Sequence, residues 1–348
     1  MQIKEAILNN EKKLVKEFLN KFDLKYADDI DKTFYLEDDN RIVGTISISS
    51  YIIKDLAVDS NYQGENLAGI LINEALNYFR INNIFSYQVF TKAIYEETFK
   101  SLGFRALVKT DKLVMLEGGI SSIDEEIKKI KNVLELNFST LDENTSLAAV
   151  VLNANPITNG HIHLIEEAKK KYNNVVVFIV EEDKSVFSFK ERLSLAYLAT
   201  RRLSNVYVMA STKYIVSSLT FPDYFLKSES EIIEENAKVD ALIFKNYFMK
   251  ELHIKKRFVG SEESSKMQIY NQTLKEILGD KLEIIDRLKE DGEIISAKKV
   301  RALLEEGKID EALKYCPNEC SLVLRSIAMV KYGSKWYFES QRRKNKDN

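Results

Sequence analysis

At 348 residues the chain is long for one domain, and a hydrophobic content of 45% is enough for two packed cores. Lysine plus arginine (51) almost cancel aspartate plus glutamate (53), so no overall basic charge exists to hold nucleic acid or an anionic membrane. No apolar run is long enough to span a bilayer, and the N-terminus lacks the uninterrupted apolar core of a signal peptide. A cytoplasmic protein with neither nucleic acid nor membrane as partner is the plain expectation.

Residues 1–120 read as a mixed α/β domain. A helical N-terminus precedes strand-like runs at Thr33–Leu36, Ile42–Ser49 and Ile52–Val58, then a turn at Ser60–Gly64. An amphipathic helix is predicted from Asn66 to Arg80, with Leu67, Ile70, Leu71, Ala75 and Tyr78 as its apolar stripe. A strand at Ile84–Phe90 and a helix at Ala93–Ser101 follow, with Gly103 as the C-cap. Residues 121–146 form a linker containing a charged helical stretch.

From Leu147 the pattern changes. LAAVVLNA is a continuous apolar run suited to a parallel strand buried on both faces. Helices at Gly160–Lys171, Phe189–Leu203 and Lys266–Leu278 alternate with strands at Val175–Val180, Val206–Met209, Ala241–Phe244, Arg257–Val259 and Leu282–Ile285. This alternation predicts a Rossmann-like, doubly wound parallel sheet over 147–335, finished by short helices from Ala297 and a disordered tail at 336–348. Cys316 and Cys320, the only cysteines, are expected to be reduced thiols, because three histidines cannot complete a zinc site with them.

Ligands of such a sheet bind beyond the carboxyl ends of its strands. The first end here is Asn153-Ala-Asn-Pro-Ile-Thr-Asn-Gly-His161. Pro156 stops the strand, and Gly160 permits close backbone approach as a helix begins. That helix N-terminus turns free N–H groups toward an anion, with the Thr158 hydroxyl and the His161 imidazole beside it. The competing reading is a plain helix cap by Thr158 or Asn159. His163 lies roughly 200° around the helix from His161 and is expected to be structural. No Walker A sequence is present.

A second anion feature is Ile295-Ser-Ala-Lys-Lys-Val-Arg301, where Ser296 caps a helix and Lys298 and Arg301 share a face of its first turns. Cations there oppose the helix dipole unless an anion compensates. An Arg301–Glu305 pair on a solvated face explains the same residues.

Together the two motifs resemble the nucleotidyltransferase superfamily, whose (H/T)xGH is matched by Thr158–His161 and whose ISxTxxR is matched from Ile295 to Arg301. Lys298 stands where threonine or serine is usual. The resemblance implies ATP bound by Asn153, Asn155, Thr158, Asn159, Gly160, His161, Lys190, Arg192, Gly260, Ser296, Lys298 and Arg301, with His161 and Thr158 in the catalytic role. Magnesium would travel with the nucleotide, and no protein metal site is expected.

Nearly the whole chain resembles more closely the citrate lyase ligase family, through NANPITNGHIHLIEEA, KYIVSSLTFPDYFLKSES, RFVGSEESSKMQIYNQTL and ISAKKVRALL. The resemblance implies acetate activation as acetyl-adenylate with release of pyrophosphate. The acetyl group then passes to the thiol of a dephospho-CoA-derived prosthetic group on the lyase's acyl carrier subunit. A cofactor-synthesising nucleotidyltransferase also fits the short motifs, as does a nucleotide-sensing module without turnover.

Residues 52–104 resemble the GNAT acetyltransferase fold. Gln63, Gly64, Asn66 and Ala68 stand at its pyrophosphate loop, Asn66 replacing a glycine, and Phe99-Lys-Ser-Leu-Gly-Phe104 matches its Y-x-x-x-G-F. Phe99 cannot donate a proton, so this domain is expected to hold the thiol arm of the carrier rather than to catalyse. A degenerate domain that only docks the partner is the alternative.

Overall fold

The computed structural model describes residues 1–62, 64–138, 141–215, 221, 226, 228–290 and 292–344. Two compact units emerge, one of residues 1–126 with 221–243, the other of 127–220 with 244–348.

The first unit holds β1 (Gln2–Glu5), α1 (Asn9–Asn20), β2 (Lys32–Asp38), β3 (Arg41–Ser49), β4 (Ile52–Val58), α2 (Leu67–Ile81), β5 (Ser86–Lys92), α3 (Glu96–Ser101), β6 (Arg105–Lys109) and β7 (Leu113–Gly119). Its seven strands lie in the order β1-β2-β3-β4-β5-β7-β6. All neighbours are antiparallel except β4 and β5. Those two pair only through Ile52–Gln88 and Ile53–Val89, so their later residues diverge. Helix α2 buries Leu67, Leu71, Ile72, Ala75 and Phe79 against the sheet, while Ile70, expected in its stripe, is exposed. At roughly 100° per residue the apolar face drifts across this helix, which brings Ile72 and Phe79 inward. Gly103, at φ 89°, follows α3 in the left-handed conformation that the chain reversal needs.

The second unit begins with α4 (Ile123–Glu135), whose first turn belongs to the first unit, and continues with β8 (Leu147–Leu152), α5 (Asn159–Lys171), β9 (Asn174–Ile179), α6 (Phe189–Thr200) and β10 (Val206–Ala210). After α7 (Glu229–Ile243), which joins the first unit, come β11 (Lys256–Gly260), α8 (Ser265–Leu278), β12 (Leu282–Ile285), a small hairpin of β13 (Lys289–Glu290) and β14 (Glu293–Ile294), α9 (Ala297–Glu305), α10 (Ile309–Lys314) and α11 (Ser321–Lys344). Five parallel strands run in the order β10-β9-β8-β11-β12. The chain therefore winds outward to β10, then returns to the other side of β8. Between β8 and β11 lies the switch point where a doubly wound sheet opens a ligand crevice at its carboxyl end. Leu147–Val150 are wholly buried, as the apolar run predicts.

The strand expected at Ala241–Phe244 is instead the end of α7 and the start of a π-helical turn at Phe244–Met249. ALIF alone suits a strand, but Ala237, Ala241, Phe244 and Phe248 are all buried at helical spacing. The closing helices are not all short, since α11 has 24 residues and carries the helix through 336–344 of the expected tail. Asn345–Asn348 of that tail, Ser139 and Thr140 of the linker, and Pro222 with its neighbours 216–220 and 223–225 lie outside the described residues.

Candidate active site

Strand β8 ends at Leu152 and the chain turns through Asn153–Thr158 into α5, with Ala154 at φ 49° and a cis Asn155–Pro156 peptide. Thr158 takes an extended conformation as N-cap. Its backbone N–H donates to His161 Nδ1 at 2.9 Å, and its Oγ1 lies 2.9 Å from the same nitrogen. An amide N–H can only donate, so Nδ1 accepts and a neutral ring keeps its proton on Nε2. Burial, aided by the positive charge of Arg287, lowers the pKa of His161 to about 4. His161 is therefore a neutral donor near pH 7, with Nε2–H as the group it can offer an oxyanion.

The second motif meets the first by direct contact. Ser296 caps α9, its Oγ accepting from the Lys299 amide at 3.2 Å. A Cβ added to Gly160 would lie 3.2 Å from the Ile295 carbonyl oxygen, so glycine is what lets α5 approach the residue before that cap. Arg301 Nη1 donates to the Asn155 carbonyl, tying α9 to the β8–α5 loop. Thr158, Gly160, His161, Ser296 and Arg301 thus belong to one assembly. Asn155 Oδ1 accepts from the Phe187 amide at 3.0 Å, and Asn153 Nδ2 lies 3.4 Å from Ser185 Oγ, so both asparagines fasten the loop before α6. Asn159 is tied to the end of α10, its amide donating to the Tyr315 carbonyl at 2.9 Å and Nδ2 to the Lys314 carbonyl at 3.1 Å. Gly260 ends β11, with its carbonyl accepting from Asn271 Nδ2 at 2.9 Å.

Arg192, expected on the triphosphate, is instead wholly buried. Its guanidinium donates to the carbonyls of Phe187 (3.1 Å), Asn153 (2.8 Å), Val180 (2.9 Å) and Glu182, and lies 3.5 Å from the Glu182 carboxylate. A buried guanidinium needs its donors satisfied, and here loop carbonyls satisfy them. Arg192 clamps the carboxyl ends of β8 and β9, its donors taken up by loop carbonyls. Lys190 and Lys298 are exposed, whereas Lys299 pairs with Glu293 and covers the Tyr315 ring at 4.3 Å. His163 is half-buried, 3.9 Å from Glu167 on its own helix. Cys316 and Cys320 are buried free thiols whose pKa values burial pushes up to about 12, which makes them poor nucleophiles.

Sequence reading missed Arg287, Ser261 and Glu262. The Arg287 Nε donates to the Ser261 carbonyl at 2.6 Å, and its guanidinium pairs with Glu262. A cleft of about 420 Å³ beside it is lined by Arg287, Lys289 and Ser296, among others. The available signal was position: Ser261 follows β11 and Arg287 follows β12 at the carboxyl end of the sheet.

The first unit has its own cavity of about 680 Å³, where β4 and β5 diverge. Apolar side chains including Ile53, Leu56, Val89 and Phe99 line it, together with Gly64, Asn66 and Ala68. Asn66 caps α2 in the left-handed region at φ 56°, an accessible conformation for asparagine. Gln63 lies outside the described residues.

The model for the citrate lyase ligase C-terminal domain matches residues 147–322, and that for the acetyltransferase (GNAT) domain matches residues 5–117. The chain belongs to the citrate lyase ligase family. It is 30% identical to a citrate (pro-3S)-lyase ligase of Haemophilus influenzae over 325 residues, covering 90% of this chain and 95% of that protein. The corresponding protein of Escherichia coli K12 is 29% identical over 299 residues, covering 83% of each. A phosphopantetheine adenylyltransferase of Syntrophomonas wolfei is 35% identical over 66 residues, 18% of this chain and 41% of that one. The expected fold class, a GNAT-like N-terminal part followed by a nucleotidyltransferase-like α/β part, is met.

Proposed function

We propose that this chain joins acetate to ATP as acetyl-adenylate, releases pyrophosphate, and acetylates the prosthetic-group thiol on the acyl carrier subunit of citrate lyase. The observation that carries the reading is similarity to citrate (pro-3S)-lyase ligase along 90% of the chain, spanning both units. Family members with that name act on citrate lyase, and the local geometry suits the chemistry.

In the first step a carboxylate oxygen attacks the α-phosphorus in line, which needs positioning and charge stabilisation more than a base. Neutral His161 offers Nε2–H to the phosphoryl oxygen that gains charge, and the α5 N-terminus adds its amides. Ser296, Lys298, Arg301 and Lys190 are assigned to the β- and γ-phosphates. Among the described residues no three His, Cys, Asp or Glu side chains gather to hold a metal. Magnesium would be held by phosphate oxygens and water, where it neutralises triphosphate charge. In the second step the carrier thiolate attacks the acetyl carbonyl and AMP leaves. The front cavity is assigned to the phosphopantetheine arm, its phosphate against the amides near Gly64–Ala68. Phe99, 4% exposed and without an ionisable group, cannot act there as general acid.

No helix among the described residues is long and apolar enough to cross a membrane. The buried free thiols suit a reducing cytoplasmic setting, which we assign with the rest of this reading. Incubation with ATP, magnesium, acetate and thiol-form carrier should add one acetyl group to the intact carrier mass. An unmodified carrier, with pyrophosphate exchange driven instead by phosphopantetheine, would replace this reading by that of a cofactor-synthesising adenylyltransferase.

A further inference from the structure

We propose that Arg287 binds the pyrophosphate leaving group and is a further catalytic residue of the second unit; the inference rests on the adenylation reading above. Three observations converge on this side chain. First, it is anchored before any ligand arrives: Nε donates to the Ser261 carbonyl at 2.6 Å, the backbone amide to Ser261 Oγ at 3.3 Å, and the guanidinium pairs with Glu262. Arg287 thereby joins the ends of β11 and β12, beside the switch point of the sheet. Second, it lines the cleft that contains the Ser296 cap and Lys289, with Glu263 and Glu293 also on the wall. Third, its positive charge adds to burial in keeping the His161 imidazole neutral.

Three other cations near the site already have donors or charge engaged. Arg192 is buried among carbonyls, Lys299 is paired with Glu293, and Arg301 spends a donor on Asn155. A guanidinium has five N–H donors. Ser261 and Glu262 hold one edge of Arg287, leaving donors for a phosphate at little cost in side-chain entropy.

A carboxylate oxygen forms a bond to the α-phosphorus as the bond from that phosphorus to the α–β bridging oxygen breaks. The electron pair leaves with pyrophosphate, which gains one negative charge, and no proton need move. A fixed guanidinium beside the departing oxygens stabilises that charge as it develops.

Isothermal titration of the full-length protein with ATP, AMP and pyrophosphate, without acetate, tests the proposal. In Arg287→Met, ATP and pyrophosphate should bind about tenfold more weakly or worse, while AMP stays within about twofold. Arg287→Lys should fall between, and serves as the test if the methionine variant does not fold. The His161 pKa, followed by NMR, should rise in Arg287→Met. Pyrophosphate affinity unchanged, or AMP and ATP weakened in parallel as a structural role would cause, overturns the assignment. Wild-type protein that binds none of the three ligands sinks the nucleotide reading itself.

Discussion

His161 has one ring nitrogen committed to its own helix cap, which determines what the other can do. With Nδ1 accepting from Thr158, the free Nε2–H can stabilise an oxyanion but cannot act as a base. Replacing His161 by alanine should lower acetate-dependent pyrophosphate release by about 10²–10³-fold, a typical loss for an oxyanion donor. Circular dichroism should remain native, and near-normal turnover in a folded variant would refute the role. A folded pKa of about 4, below the ordinary 6.5, gives the pH dependence its sign. The native ring stays neutral as pH falls, so the rate should show no histidine limb near pH 6.5. Stability should decline from that pH downward as the unfolded chain takes up the proton instead. Asp55 in the first unit has the opposite sign. It is wholly buried on β4 at φ 54°, and burial raises its pKa to about 7. The Ser47 hydroxyl and, less strongly, the Lys54 charge offset that rise only in part. The native state holds a proton that the unfolded chain releases above about pH 4, so stability falls as pH rises from 4 to 7, by about 4 kcal/mol at most. Asp55→Asn should raise the melting temperature more at pH 8 than at pH 5; an equal gain at both would show that Asp55 does not titrate this way.

At the scale of elements, the contact between α5 and the residue before α9 decides whether the two motifs form one site. Alanine at position 160, in the first turn of α5, would gain less than the roughly 1 kcal/mol of helix propensity it brings in a helix interior. Its Cβ would also stand 3.2 Å from the Ile295 carbonyl, tighter than ordinary packing allows, and would press the segments apart. Gly160→Ala should therefore leave thermal stability nearly unchanged while acetate-dependent pyrophosphate release falls about tenfold; parallel losses would mean that the glycine serves folding alone. This meeting was only half legible in the sequence. Thr158, Gly160, His161 and Ser296 could be read because a strand end, a glycine and a cap are local signals. Arg192 could not, because a cation at a helix start looks alike whether it faces phosphate or is buried among four carbonyls. Arg287 was invisible for the complementary reason, since its partners Ser261 and Glu262 are brought to it only by the pairing of β11 with β12. Among strands, the apolar β8 run and the Ile52–Val58 strand were readable from composition. ALIF within α7 was not, because four apolar residues carry no period until the flanking turns are counted.

At the scale of the whole molecule, the front unit is not a single stretch of sequence. The model for the acetyltransferase domain ends at residue 117, yet the first unit also contains residues 221–243. Helix α7 packs beside β6, with Lys112 paired to Glu231 at 2.7 Å and Thr110 bonded to Glu235, which is wholly buried. Phe221 meets Phe90 edge-on at 5.8 Å between ring centres. A fragment ending at Glu126 would uncover Phe90 and lose the buried partner of Thr110, both costly to leave exposed or unmatched. Its melting temperature should lie several degrees below that of the front unit in the full chain, with increased binding of an apolar dye. A fragment as stable as the intact unit would show that α7 contributes nothing to it. The consequence reaches function, because the cavity assigned to the thiol arm lies between β4 and β5 of this same sheet, and Phe90 is on β5. Dephospho-CoA should bind the full-length protein and be lost or weakened in the fragment, although Gly64, Asn66 and Ala68 are present in both. Equal affinity in the two would confine the arm site to the first 126 residues; no binding to the full chain at millimolar ligand would refute the arm cradle.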